Sequence, residues 1–225
     1  MGPGLLAGRV SAEHGLLSWS TSARRGVPAL TAGSMLAQHV VELPERREVW
    51  FLPGFATSTQ GFSFTDEIWE RLALALARSS AAMGRDALVD AGRLVGDRGN
   101  WPVLRAADQV LLAVRPSVRS VHAAQDATTK LRYELGDLGK VSALVIGSGP
   151  YSAAEVASAL QTSLGGVLPD DRPAAAVLSD GANLSITKQM QRSALIKAAG
   201  GLARRVAATS LHPDAVTHAG AGTHQ

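Results

Sequence analysis

The chain contains no cysteine in its 225 residues, which excludes disulfides, thiolate nucleophiles and thiolate metal ligands. Any zinc site would have to rest on histidine and carboxylate, and the composition fits a reducing cytoplasm, the compartment expected for it. Aromatic residues are nearly as scarce, with four Trp, four Phe and two Tyr, which argues against a base-stacking platform for single-stranded nucleic acid. No run reaches the ~18 uninterrupted apolar residues of a membrane span. The N-terminus, "MGPGLLAGRVSAEHG", lacks the continuous apolar core of a signal peptide.

What is present is apolar and mildly basic. At 46% apolar content the length suffices for one buried core, read as a single domain over residues 1–211 followed by a disordered tail over 212–225, "HPDAVTHAGAGTHQ", which has neither period nor core. Its three histidines form no ordered metal frame, and no metal site is expected. The net charge is +3 and the pI about 9.7. Basic residues are scattered rather than clustered, so nucleic acid is a weakly supported partner, resting on Arg192, Lys197 and Arg204 sharing one helix flank.

Periodicity supplies the element order. "HGLLSWSTSARRG" and "VPALTAGSMLAQHVVEL" read as two helices, "EVWFLPG" as a strand, "ATSTQGFS" as a loop, and "TDEIWERLALALARSSAAMG" as a helix capped at Thr65 and stopped at Gly84. Strands and helices then alternate: "DALVDA" a strand, "WPVLRAA" a helix, "DQVLLAVRP" a strand, "VRSVHAAQDATTKLRYELGD" a helix, "KVSALVIGSG" a strand, "YSAAEVASALQ" a helix, "LGGVLPDD" a strand, "RPAAAVLSDG" a helix and "SALIKAAGGLARRVAATSL" the last helix. The strands are near-continuous apolar runs, as required where helices cover both faces of a parallel sheet. The fold expected is a doubly wound, mostly parallel α/β sheet.

In such sheets ligands sit at the carboxyl ends of the strands. The residues there are Pro53-Gly54, Asp90-Ala91-Gly92-Arg93, Arg115-Pro116, Gly147-Ser148-Gly149-Pro150-Tyr151 and Pro169-Asp170-Asp171. Each has a plain structural reading beside the functional one. Asp90 caps its own turn or serves a metal, Arg115 pairs with a nearby carboxylate or a ligand, and "GSGP" is a tight turn or a cradle.

The succession "DALVDAGRL", "ADQVLLAVRPS", "VSALVIGSGPYSAAEVASAL" and "GGVLPDDRPAAAVLSDG", closed by an amphipathic helix, resembles the MinD/ParA-type (SIMIBI) P-loop ATPases, in particular the actinobacterial MinD-like branch. The resemblance covers Asp86 to Ala207 well and the part before it more loosely. It implies that Asp90 and Gly92 are switch residues, with Asp90 sensing magnesium and the terminal phosphate, and that Gly149, Pro150, Pro169 and Asp170 form the wall on the base side of a nucleotide. Arg93 and Arg115 join these as nucleotide-side candidates, although Arg93 stands where better-known members often carry a small residue or proline. The resemblance also implies roles in chromosome partitioning and an oligomeric state.

The phosphate-binding loop of that family is missing from this sequence. Such a loop needs glycines for converging amides, a lysine for the outer phosphates and a hydroxyl for magnesium. The nearest stretch, "ELGDLGKVS", has Glu134 at the first glycine position and Val141 at the hydroxyl position, and it precedes a strand. "MGPGLLAGRV" resembles the latter half of the family's "ADPxGGxLAxR" segment, so the chain reads as beginning after the second strand, either by trimming or in a lineage that dispensed with hydrolysis. Two functions follow: a non-hydrolysing adaptor or spatial, partitioning regulator, or an active ATPase whose loop lies upstream or comes from a partner chain. ATP and magnesium are expected only if that loop is supplied. A protein partner or homo-oligomer is expected, with Leu16, Leu17, Trp19, Met35 and Leu36 contributing buried surface. A different kind of α/β enzyme is disfavoured, because no G-x-S-x-G elbow follows a strand.

Overall fold

A computed structural model describes residues 14–23, 28–43, 48–55, 57–61, 63–94, 100–136, 138–180 and 192–211. The segment resembling "ADPxGGxLAxR" and the tail over 212–225 lie outside them. The chain divides into two compact units, Met1–Ala107 and Asp108–Gln225.

The first unit is helical with a small hairpin. It comprises α1 (Leu16–Ala23), α2 (Ala29–Leu36), β1 (Val41–Glu42), β2 (Trp50–Phe51), α3 (Ser58–Gly61), α4 (Asp66–Met83) and α5 (Trp101–Ala106). Helix α4 organises it. Ile68, Leu72 and Ala75 recur at helical spacing, face inward and pack with Trp19, Leu36, Phe64 and Val103. Phe64 meets Phe55 edge-on, with ring centroids 4.8 Å apart. Thr65 caps α4 through its backbone carbonyl, which accepts from Ile68 N, and Gly84 stops it at φ 59°. Both ends of α4 agree with the sequence reading.

Just beyond that stop, Arg85 forms a clamp. Its Nη1 donates to Glu48 O at 2.9 Å, its Nη2 pairs with Glu48 Oε2 at 3.0 Å, and the guanidinium lies over Trp50 at 5.2 Å from the ring centre. The Arg85 amide donates to Ser80 O, so the end of α4 and the β1–β2 hairpin are tied at one residue.

Three expectations are corrected here. "VVEL" is not helical; its middle residues, Val41 and Glu42, form β1, antiparallel to β2. One turn of helix, α3, interrupts the loop "ATSTQGFS". "DALVDA" is not a strand: residues 85–94 belong to no sheet, and Leu88 is 95% exposed. Its strand character is local, and a strand also needs a neighbour to pair with. The interface expected from α1 and α2 is corrected in part as well, since Trp19 and Leu36 are core residues of this unit. Leu17 remains exposed, and Leu16 and Met35 are half-buried.

The second unit carries the parallel sheet. It comprises β3 (Val110–Val114), α6 (Val118–Leu135), β4 (Val141–Ile146), α7 (Ala153–Ala159), β5 (Ser163–Leu168), α8 (Arg172–Asp180) and, as the last helix, α9 (Ala194–Leu211). The strands are parallel in the order β3-β4-β5, with Val110 opposite Val141 and Ser142 opposite Ser163. Central β4 is buried from Val141 to Val145, which explains its unbroken apolar run. Ala143 and Val145 pack with Ala124 of α6 and with Val156 and Ala157 of α7. On the opposite face Leu144 and Gly166 meet Leu202 of α9. Helices thus cover both faces of a parallel sheet, as the sequence leads one to expect.

Candidate functional site at the carboxyl edge of the parallel sheet

Because β3, β4 and β5 run in parallel, the residues that follow them share one edge. Arg115 follows β3, Gly147 follows β4 and Pro169-Asp170 follow β5. Arg115 Nη1 donates to Asp170 Oδ2 at 3.1 Å across this edge, both side chains being partly exposed. Arg115 is thus paired with a carboxylate across this edge. Below it the Arg115 amide donates to Ser120 Oγ at 3.1 Å, while Ser117 Oγ accepts from Ser120 N at 3.4 Å and caps α6.

Glycine is required at two of these positions. Gly147 has φ 79°, donates its amide to Leu168 O at 2.7 Å, and leaves a Cβ position 3.3 Å from the Asp170 Cβ. At Gly149 the constraint is space, since a Cβ there would stand 2.2 Å from Pro116 O. The "GSGP" turn is thus held tightly against the loop after β3. Pro150 and Tyr151 beyond it are exposed, and Ser152 and Glu155 close a capping box at the start of α7. The Ser152 hydroxyl, and then its amide, hydrogen-bond the Glu155 carboxylate and hold its pKa below the usual carboxylate value.

One residue and one contact escaped the sequence reading. Ser193 Oγ donates to Asp171 Oδ2 at 2.7 Å, and Asp171 Oδ1 accepts from Ala174 N at 3.2 Å. These bonds, the Ser193 one foremost, lower the Asp171 pKa and join the start of α8 to the start of α9. Ser193 was detectable as a helix cap ahead of "ALIKAA". Pro116, against which Gly149 packs, carried no sequence signal for that contact.

Arg115, Gly149, Pro169 and Asp170 are brought together on the second unit, with Pro150 next to Gly149. Asp90, Gly92 and Arg93 belong to the first unit, on exposed chain. Asp90 is not at the end of a strand. Its Oδ1 accepts from Gly92 N at 3.0 Å, and Gly92 turns the chain at φ 69°. Among the described residues no group of three or more His, Asp or Glu side chains stands ready to hold a metal. On the sheet edge the Arg115 guanidinium is paired with Asp170, and one oxygen of Asp90 is engaged by its own backbone. Of the basic group, Arg192, Lys197 and Arg204 are exposed, while Arg205 donates to Gly165 O at 3.2 Å. No helix among the described residues is long and apolar enough to cross a membrane.

No protein-family model matches the chain, and no curated protein matches it at a significant level. Solved structures are similar. A ParA family ATPase from Chlorobium tepidum TLS matches at 18% identity and a TM-score of 0.59, over 91% of this chain and 78% of that one. The MinD cell division protein of Aquifex aeolicus matches at 16% identity and 0.61, over 85% and 79%. The MinC:MinD cell division protein complex of Aquifex aeolicus matches at 16% and 0.60, over 85% and 77%. At these identities the likeness establishes the fold, an α/β architecture with a parallel sheet of the ParA/MinD ATPase kind.

Proposed function

We propose that the chain is a MinD/ParA-like adaptor or spatial regulator that does not hydrolyse ATP by itself and acts by binding protein. The observation that carries this reading is the engagement of Asp90: its carboxylate closes a turn on Gly92 N, in exposed chain outside any sheet. An aspartate that directs magnesium must instead present its oxygens to the metal from a fixed edge. The compensation of Arg115 by Asp170 supports the same reading, since phosphoryl transfer depends on uncompensated positive charge and converging amides. Protein binding is supported by the likeness to a MinD that is assembled with MinC.

Calorimetry on the full chain with ATP and magnesium tests it. No saturable heat is expected below about millimolar nucleotide, a regime of roughly 4 kcal/mol or less. Micromolar affinity that disappears on Asp90→Ala would falsify the proposal. The second reading, an ATPase completed by an upstream segment or a partner chain, draws support from the ordered carboxyl edge of β3, β4 and β5. It is distinguished by turnover that appears only when such a segment is added.

A further inference from the structure

We infer that Arg205 is a plug on the outer edge of β5: it occupies the carbonyl through which that edge would take up another strand, and so keeps a latent strand-pairing site shut. The inference does not depend on the function proposed above.

Among the described residues β4 is the only strand beside β5, which leaves the far side of β5 as an edge of the sheet. One bond shows which of its backbone groups point outward. Leu168 O accepts from Gly147 N on the β4 side, and backbone direction alternates along a strand, so Gly166 shares that side while Gly165 and Val167 turn their N–H and C=O away from it. An edge offering such groups is a template for a further strand. Its side chains are suited to one as well, since Leu164 and Val167 are 44% and 45% exposed and the register sets them opposite Ala143 and Val145, on one face of the sheet.

Sheets resist such pairing with bulges that break the ladder and with charged side chains laid on the edge. β5 has both. Leu164 and Gly166 face consecutive residues of β4, so Gly165 is an extra residue in the ladder. Its outward carbonyl accepts from Arg205 Nη2 of α9 at 3.2 Å. The guanidinium reaches that carbonyl across Gly166, where a Cβ would stand 2.8 Å from the same Nη2 and push it aside. Paired strands lie about 4.8 Å apart, and the guanidinium fills that gap. A second copy approaching edge to edge would also bring its own Arg205 charge against this one.

Sedimentation equilibrium of the full chain tests the proposal by comparing the wild type with Arg205→Ala and with that variant carrying Leu164→Lys or Val167→Lys in addition. Once the plug is gone, the strand at hand is the β5 of a second copy. Pairing about a two-fold axis is expected to raise the weight-average mass towards about twofold of the wild-type value at the same concentration. A lysine at Leu164 or Val167 charges the edge by another route and should return the mass to the wild-type value. Amide exchange locates the contact, because in the associated variant the outward Val167 amide should slow while the amides of β3 do not. A lysine on exposed β5 cannot repair a misfolded chain, so its reversal of the effect separates an opened edge from unfolding. Arg205→Ala at the wild-type mass throughout, added mass that neither lysine removes, or slowing at β3 in place of β5 would each overturn the proposal.

Discussion

Gly149 and Gly92 are both turn glycines, yet their replacement should have different consequences. At Gly149 an added Cβ would sit 2.2 Å from Pro116 O, a backbone atom that cannot give way alone. Gly149→Ala is therefore expected to cost more than Gly92→Ala, about 3 kcal/mol or more in urea unfolding. Gly92 has φ 69° with nothing near its Cβ position, so Gly92→Ala meets only the left-handed backbone penalty, about 1–2 kcal/mol, on exposed chain. Equal losses at the two positions would refute the steric account. His39 offers a pH test. It is buried, Ser18 Oγ stands 2.9 Å from its Nδ1, and burial followed by the charge of His14 pushes its pKa below the usual 6.5. Ser18 Oγ also hydrogen-bonds Gly15 O at 3.0 Å, which ties the histidine contact to the start of α1. The unfolded chain protonates His39 more readily than the folded one. Stabilisation by neutral His39 is thus complete above about pH 6.5 and is lost as pH falls from there towards the lowered folded value. The melting midpoint should drop between about pH 7 and about pH 5, and His39→Gln should flatten that slope. At this scale the sequence disclosed residue types and local turns but not distant partners. That Arg115 would find a carboxylate was legible; that the carboxylate belongs to Asp170, on another strand end, was not.

Elements divide the same way. Helices α4 and α6 could be read from their period and their ends, because every bond that forms a helix is local. Strand "VSALVI" could be read too, since burial on both faces leaves an unmistakable apolar run. "DALVDA" carries the same kind of run, and only the absence of a paired neighbour among the described residues separates it from β4. Strand pairing is a property of two segments, and one segment's composition cannot supply it. The hairpin strands β1 and β2 were hidden by their brevity and by the apolar continuity of "AQHVVEL" with the helix before it. The α6 cap gives a prediction at this scale. Ser117→Ala removes the acceptor for Ser120 N and should cost about 1 kcal/mol of second-unit stability by chemical denaturation. A loss below a few tenths would mean that the serine cap contributes nothing.

Across the whole molecule, stability should be distributed as unevenly as burial. Amide hydrogen exchange is expected to be slowest in β4, buried from Val141 to Val145, and close to the free-peptide rate between Asp86 and Val89, where every residue is exposed. Strong protection over Asp86–Val89 would mean that this segment is paired in solution, and the reading of Asp90 as an idle turn cap would fall with it. The clamp at Arg85 has a further consequence, a mechanical one. Tension applied to the chain through residues 86–94 arrives first at a side chain that grips Glu48 twice and lies on Trp50. That load passes sideways into the two-residue β1–β2 pairing, Val41 opposite Phe51 and Glu42 opposite Trp50, as well as along the axis of α4. Under traction the hairpin is therefore the fuse, yielding before the long helix begins to unwind.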